Sequence, residues 1–178
     1  MTNDKILFTQ DFTHDTGYWW FAFTDAGLAI VSTPDHADHA VQKWLETRLD
    51  YNVQPAKDGN IVAKKHESAL IDLLGGRAGR YSQPFDIKAT KFQQSVWQAM
   101  SDVPYGQTVS YADLAAEIGN PKAIRAVGTA CGANPVPLAF PCHRILRSNG
   151  ELGGFGLGLD VKQRLLTYEA EQSKKQAA

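Results

Sequence analysis

The chain has 178 residues, 43% hydrophobic and 21% charged, the composition of a soluble globular protein of one or two domains. It holds no run of about 18 apolar residues, so no helical membrane span is expected, and Met1-Thr2-Asn3-Asp4-Lys5 lacks a signal-peptide pattern. A net charge of −1 by itself argues against a nucleic-acid binder. However, residues 1–85 carry 8 Lys+Arg against 11 Asp+Glu and residues 86–178 carry 10 against 8, which favours the C-terminal half for any polyanionic partner.

Tyr18-Trp19-Trp20-Phe21-Ala22-Phe23 reads as an aromatic strand, Asp25-Ala26-Gly27 as a turn and Leu28-Ala29-Ile30-Val31 as the partner strand. After Pro34-Asp35, Ala40, Val41, Trp44, Leu45 and Leu49 stand at helical spacing. Ala69, Leu70, Leu73 and Leu74 mark a second helix that ends at Gly75-Gly76. Residues 1–84 thus form a small α/β unit with no evident chemistry of its own. The stretch 79–91, with Gly79, Ser82-Gln83-Pro84 and Phe85-Asp86-Ile87, reads as a boundary.

The second unit, residues 85–178, is mostly helical. Thr90 and Gln93 form a capping box before a helix with Phe92, Val96, Ala99 and Met100 on one face. Pro104-Tyr105-Gly106 turns the chain. Ser110 and Asp113 open a short helix through Leu114 and Ile118, and Gly119 closes it. Asn120-Pro121 is expected to restart a helix at once, with asparagine as cap and proline at the first helical position. Two short helices around a glycine turn fit a helix-turn-helix, and they equally fit a helical hairpin inside a core. The second of them carries mostly small residues, Ala123, Ala126, Gly128, Thr129, Ala130 and Gly132, with one long cation, Arg125. Such a helix suits a narrow groove with Arg125 filling a gap in a base stack, or close helix packing with Arg125 in water.

Asn134-Pro135-Val136-Pro137 cannot be helical and runs extended into Leu138-Ala139-Phe140. The apolar run stops at Pro141-Cys142-His143-Arg144, where thiol, imidazole and guanidinium stand together. This pattern is compatible with a small buried cysteine beside a polar turn or with an activated nucleophile. Cys131 and Cys142 are too few for a disulfide scaffold and fit a reducing cytoplasm, and a bridge between them would silence the second thiol. Gly150, Gly153, Gly154, Gly156 and Gly158 form a backbone-rich loop. Asp160 is expected to cap a last helix whose stripe is Val161, Leu165 and Leu166. Glu169 shares that stripe, and a carboxylate there needs a partner, for which His143 is available. Glu169, His143 and Cys142 would then form an acid–imidazole–thiol relay.

These residues, together with Pro104-Tyr105-Gly106-Gln107-Thr108-Val109-Ser110-Tyr111, Phe92-Gln93-Gln94-Ser95-Val96-Trp97 and Arg125-Ala126-Val127-Gly128, resemble the O6-alkylguanine-DNA alkyltransferases (methylated-DNA–protein-cysteine methyltransferases). The likeness is dense over about residues 85–170 and looser over residues 1–84, where the resemblance implies a ribonuclease-H-like α/β domain. It implies single-turnover, irreversible transfer of an alkyl group from O6-alkylguanine, with O4-methylthymine as a second candidate, to Cys142. His143 and Glu169 would activate the thiol through a water, Asn134 would hold the turn, and Tyr111 would press on the target phosphate and donate a proton to the leaving guanine. Arg125 would replace the flipped base, with Ala126, Gly128, Thr129, Ser110 and Tyr111 along the minor groove. Phe155, Gly156 and Leu157 would line the base pocket. The implied partner is double-stranded DNA with alkylated bases, bound by a monomer, with no membrane, metal or organic cofactor involved.

The sequence departs from the family's pattern in three places. Gly156-Leu157 stand where many members have Ser-Gly, which would narrow the pocket against bulky groups. Gly132 replaces a basic residue of some relatives. No cysteine-rich N-terminal module is seen, so transcriptional activation is not implied. Among other readings, the non-catalytic alkyltransferase-like proteins lack the acceptor thiol. A cysteine phosphatase needs five residues between cysteine and arginine, and Cys142 and Arg147 have four between them. A thiol protease would need a substrate groove that the sequence does not signal.

Overall fold

The computed structural model describes residues 5–46, 48 and 51–177. A four-stranded mixed sheet, in the order β3-β2-β1-β4, opens the chain. The strands are β1 (Lys5–His14), β2 (Gly17–Thr24), β3 (Gly27–Ser32) and β4 (Tyr51–Pro55). β1 pairs antiparallel with β2, β2 antiparallel with β3, and β4 joins β1 in parallel after a crossover through α1 (Pro34–Leu45). Leu49, expected on the α1 stripe, lies outside the described residues. The alternation in β2 decides the packing. Trp19, Phe21 and Phe23 point into one core, while Ala22 joins Leu7, Ala29, Ile30 and Trp44 on the other face beneath α1.

α2 (Ile61–Leu74) covers the first face. Asn60 caps it by accepting from Ala63 N at 3.0 Å. Its His66 is buried against Phe21 and Phe23 and bonds the Tyr81 hydroxyl through Nδ1. Burial lowers the His66 pKa to about 4. As pH falls below 6.5, the unfolded chain takes up a proton that the native state refuses down to about 4. We therefore expect urea denaturation to lose about 2 kcal/mol between pH 7 and pH 5, with a smaller loss in His66→Phe. Equal pH dependence in both proteins would refute this assignment.

The remainder is helical: α3 (Lys91–Ser101), α4 (Tyr111–Glu117), α5 (Ile124–Gly132) and α6 (Leu159–Gln176). The capping boxes expected at Thr90/Gln93 and at Ser110/Asp113 are both formed. α5 starts later than expected. Asn120 and Pro121 lie in a turn closed by Ala123 N donating to Asn120 O at 2.9 Å, and the helix begins at Ile124 with no side-chain cap. Likewise Asp160 is not the cap of α6. The cap position is Gly158, at φ 97°, and Asp160 sits in the first turn, where its charge suits the helix dipole.

α3, α4 and α5 enclose a second core of Val96, Trp97, Met100, Leu114, Val127 and Ile145, to which Cys131 and Cys142 belong. The first core extends from the sheet to Val136, Leu138 and Ala139 and to Val161 and Leu165 of α6. Two links join the two halves of the chain around the Pro141-Cys142-His143-Arg144 motif: Val31 N donates to Pro135 O at 2.9 Å, and Arg164 Nε donates to Thr16 O at 2.6 Å. Within the second half, Phe140 stacks between Phe85 and Trp97. Among the described residues no helix is long and apolar enough to cross a membrane.

Candidate functional site

Two prolines keep residues 134–137 extended, and Asn134 fixes the bend that follows. Its Oδ1 accepts from Val136 N at 3.0 Å, and its Nδ2 donates to Phe140 O at 2.7 Å and reaches Cys142 Sγ at 3.5 Å. Cys142–Arg144 then forms one buried 3-10 turn. β6 (Ile145–Leu146) follows and pairs in parallel with β5 (Val109–Ser110), which places the N-terminus of α4 beside the motif. Cys131 and Cys142 are both free thiols.

His143, Arg144 and Glu169 form a buried cluster. His143 Nε2 lies 2.7 Å from Glu169 Oε1. Arg144 donates to the same carboxylate through Nε and Nη2, each at 2.9 Å, and through Nη1 to Val103 O at 2.8 Å. Gly106 N adds a further donor to Glu169 Oε2 at 3.0 Å. Gly106 needs its φ of 73°, and a Cβ there would collide with Ser173. Burial alone would raise the Glu169 pKa, but the hydrogen bonds from His143 and Arg144 and the Arg144 charge outweigh it and bring it to about 2. Burial lowers the His143 pKa by more than Glu169 raises it, so the ring is neutral. A neutral ring beside a carboxylate must donate through Nε2. Nδ1 therefore carries a lone pair, and it is buried with no hydrogen-bond partner among the described residues.

The Cys142 thiol is not a resting thiolate. Burial pushes Cys142 up to about 11, against the opposing bond from Asn134 and the nearby charge of Lys162. Lys162 was not evident from the sequence. It is fully buried on α6, and Nζ donates to Ile145 O at 2.7 Å, to Leu152 O and to Gly154 O at 3.4 Å. Three carbonyls match the three protons of an ammonium, and they tie the glycine loop to the residues that follow Cys142.

A cavity of about 500 Å³ opens onto Cys142 and is lined by Tyr111, Arg125, Gly128, Arg147 and the loop 153–156. Tyr111 packs on the backbone of Gly153, whose φ is 67°. Burial first, then Cys131 and Cys142, raise the Tyr111 pKa, which keeps its hydroxyl protonated and able to donate. Phe155 and Gly156 line this cavity, but Leu157 does not. The Leu157 side chain belongs to the first core and borders a second cavity that also reaches Cys142. Arg125 and Ala126 are exposed on α5, and Thr129 is exposed with its hydroxyl donating to Arg125 O at 3.1 Å. Ser110 Oγ is engaged in its capping box. Ile124 and Arg147 also line the cavity and were not singled out in the sequence.

Fold and site together define a buried, hydrogen-bonded free thiol at the foot of a surface cleft. Residues 91–171 match the family described as 6-O-methylguanine DNA methyltransferase, DNA binding domain. The chain is 32% identical over 174 residues to the inducible methylated-DNA–protein-cysteine methyltransferase of Bacillus subtilis, covering 98% of this chain and 96% of that one. It is 37% identical over 129 residues to the methylated-DNA–protein-cysteine methyltransferase of Mycolicibacterium paratuberculosis, covering 70% of this chain and 78% of that one. In structure it is similar to Mycobacterium tuberculosis OGT solved in complex with DNA, with a TM-score of 0.74, 28% identity, and coverage of 93% and 94% of the two chains. The chain belongs to the methylated-DNA–protein-cysteine methyltransferase family.

Proposed function

We propose that this protein repairs DNA directly, moving the alkyl group of O6-alkylguanine onto Cys142 once per molecule. The observation that carries this reading is the neutral His143 ring, held by Glu169 through Nε2, next to a protonated Cys142 that borders an open cleft. His143 Nδ1 takes the thiol proton through a water. The sulfur attacks the alkyl carbon, and the carbon–O6 bond breaks with its electrons on guanine, where Tyr111 supplies a proton. The product is a thioether that water does not cleave, so the enzyme is consumed. The displacement calls for no cofactor.

The target carbon lies inside the base stack, so the nucleotide must be flipped out. In this reading α4 and α5 act as a helix-turn-helix within a DNA-binding unit, residues 85–178. α5 enters the minor groove with Ala126, Gly128 and Thr129 against the strand, and Arg125 fills the space left by the base. Ser110 and Tyr111 hold the flanking phosphates, and Phe155 and Gly156 line the base. Residues 1–84 form a ribonuclease-H-like unit, whose pattern of three antiparallel strands, a helix and a parallel strand supports this assignment. The protein acts as a cytoplasmic monomer on double-stranded DNA, with O4-methylthymine a further substrate to test.

Cys142→Ala separates repair from mere lesion binding. It should abolish methyl transfer from O6-methylguanine duplex while keeping duplex affinity within about twofold, since the thiol adds little contact area. Transfer surviving in this variant would refute the assignment. Arg125→Ala should slow repair of duplex by about tenfold, the scale of one lost stacking contact, and leave reaction with free O6-benzylguanine nearly unchanged. Equal losses on both substrates would rule out a role in the stack.

A further inference from the structure

Two arginines line the cavity that opens onto Cys142, Arg125 on α5 and Arg147 just after β6. The pairing of the two short strands fixes where Arg147 stands. In the parallel β5–β6 register Ser110 lies opposite Leu146, so Tyr111 and Arg147 are the next residues along neighbouring strands. The electrostatics agree: burial raises the Tyr111 pKa, and the Arg147 charge opposes that rise. Residues 147–151 form a closed turn. Arg147 N donates to Glu151 O and Gly150 N donates to Arg147 O, each at 2.9 Å, and Glu151 N donates to Asn149 Oδ1 at 3.1 Å. The turn brings the Glu151 carboxylate to 3.2 Å from Arg147 Nη1, yet the two side chains stay 62% and 61% exposed. Water screens so open a pair, and another anion can take the place of the carboxylate at small cost. A nucleotide whose base reaches the buried thiol leaves its phosphates at the mouth of the cleft, where Arg147 stands. The Ser110 hydroxyl already donates to Asp113 Oδ2 at 2.7 Å, and the Tyr111 hydroxyl is neutral, so neither brings a positive charge to that place. Arg147 does, and its planar fork suits two phosphate oxygens.

We propose that Arg147 holds a phosphate beside the flipped nucleotide, and that this phosphate displaces Glu151 from the guanidinium. The inference rests on the alkyl-transfer reading and adds a DNA contact to it. The two side chains act in opposite senses. Arg147 draws the phosphate in, while Glu151 holds Arg147 in the free protein and repels the same phosphate. Both charges sit on one short turn whose backbone is fixed by its own hydrogen bonds, so the exchange needs only side-chain rotation.

The test measures equilibrium binding to duplex containing O6-methylguanine over a range of salt, in the Cys142→Ala protein so that no transfer intervenes. Adding Arg147→Gln should weaken binding about tenfold, the scale of a hydrogen bond to a charged group. It should also reduce the slope of log affinity against log salt by about one. Adding Arg147→Lys instead should keep the slope, because the charge remains. Adding Glu151→Gln should tighten binding about threefold, the scale of an exposed ion pair. The proposal is overturned if Arg147→Gln leaves the slope unchanged. It is equally overturned if Arg147→Lys loses as much slope as Arg147→Gln, which would make the side chain a support for the turn. Binding no tighter in Glu151→Gln overturns the exchange of partners. Methyl transfer by the native protein is followed in parallel, and its absence would instead overturn the alkyl-transfer reading, and this proposal with it.

Discussion

Glu169→Gln is expected to unfold at markedly lower urea concentration and to transfer methyl about 100-fold more slowly, the scale of a lost acid–base contribution. Among the described residues every hydrogen-bond partner of the carboxylate is a donor: His143 Nε2, the Arg144 guanidinium and Gly106 N. A glutamine amide must turn its own N–H groups toward at least one of them. Arg144, buried in the same cluster, would then lack its counter-charge. Breaking a buried pair from one side costs about 3–5 kcal/mol. The pKa agrees with that scale. Glu169 is held at about 2, so its stabilisation is complete above 4.5 and is lost as pH falls toward 2. A shift of this size corresponds to about 3 kcal/mol. Adding Arg144→Met to Glu169→Gln should recover much of the stability, because no unpaired charge remains, while transfer stays slow. Urea titration and single-turnover kinetics on the two variants separate these effects. Native stability in Glu169→Gln would refute the paired role, and native transfer would refute the relay.

Lys162→Met is the second large expectation, and its effects fall the other way. Removing a buried charge spares its desolvation, while three carbonyls lose their donor. The two terms oppose each other, and we expect a stability change within about 2 kcal/mol. Catalysis has no such compensation. Lys162 is the cation that lowers the Cys142 pKa, and it anchors Leu152 and Gly154 of the loop that borders the cleft at Cys142. Loss of one preorganised charge typically costs about 100-fold in rate, and Lys162→Met should show a loss of that order. The pH at which transfer accelerates should rise in the variant, since the thiol loses its cation. A folded variant with native transfer and an unchanged pH profile would show that the lysine only supports the loop.

The residues that could be read from the sequence are those whose type conflicts with a simple burial pattern. Glu169 stands on an apolar stripe, and the structure gives it three donor residues. The alternation from Tyr18 to Phe23 marked β2, because one face is aromatic and buried. β4 was not legible, since Tyr51–Pro55 is mostly exposed and carries no buried face to leave a pattern. β1 mixes polar and half-buried positions and was likewise missed. Asn120-Pro121 carries a strong helix-start signal, yet the chain uses it for a turn, because the same residues also favour turns. Lys162 was invisible for a different reason. A lysine between Val161 and Leu165 reads as a solvated side chain until the carbonyls of residues 145, 152 and 154 converge on it. That convergence is long-range and leaves no local mark.

The central claim is that Cys142 is a single-use alkyl acceptor. Its most direct test is peptide-resolved mass spectrometry after incubation with excess duplex containing O6-methylguanine. The account predicts one added methyl per chain, on the peptide holding Cys142, with guanine restored in an equal amount of DNA. More guanine restored than protein present, or a methyl on any other residue, would contradict it.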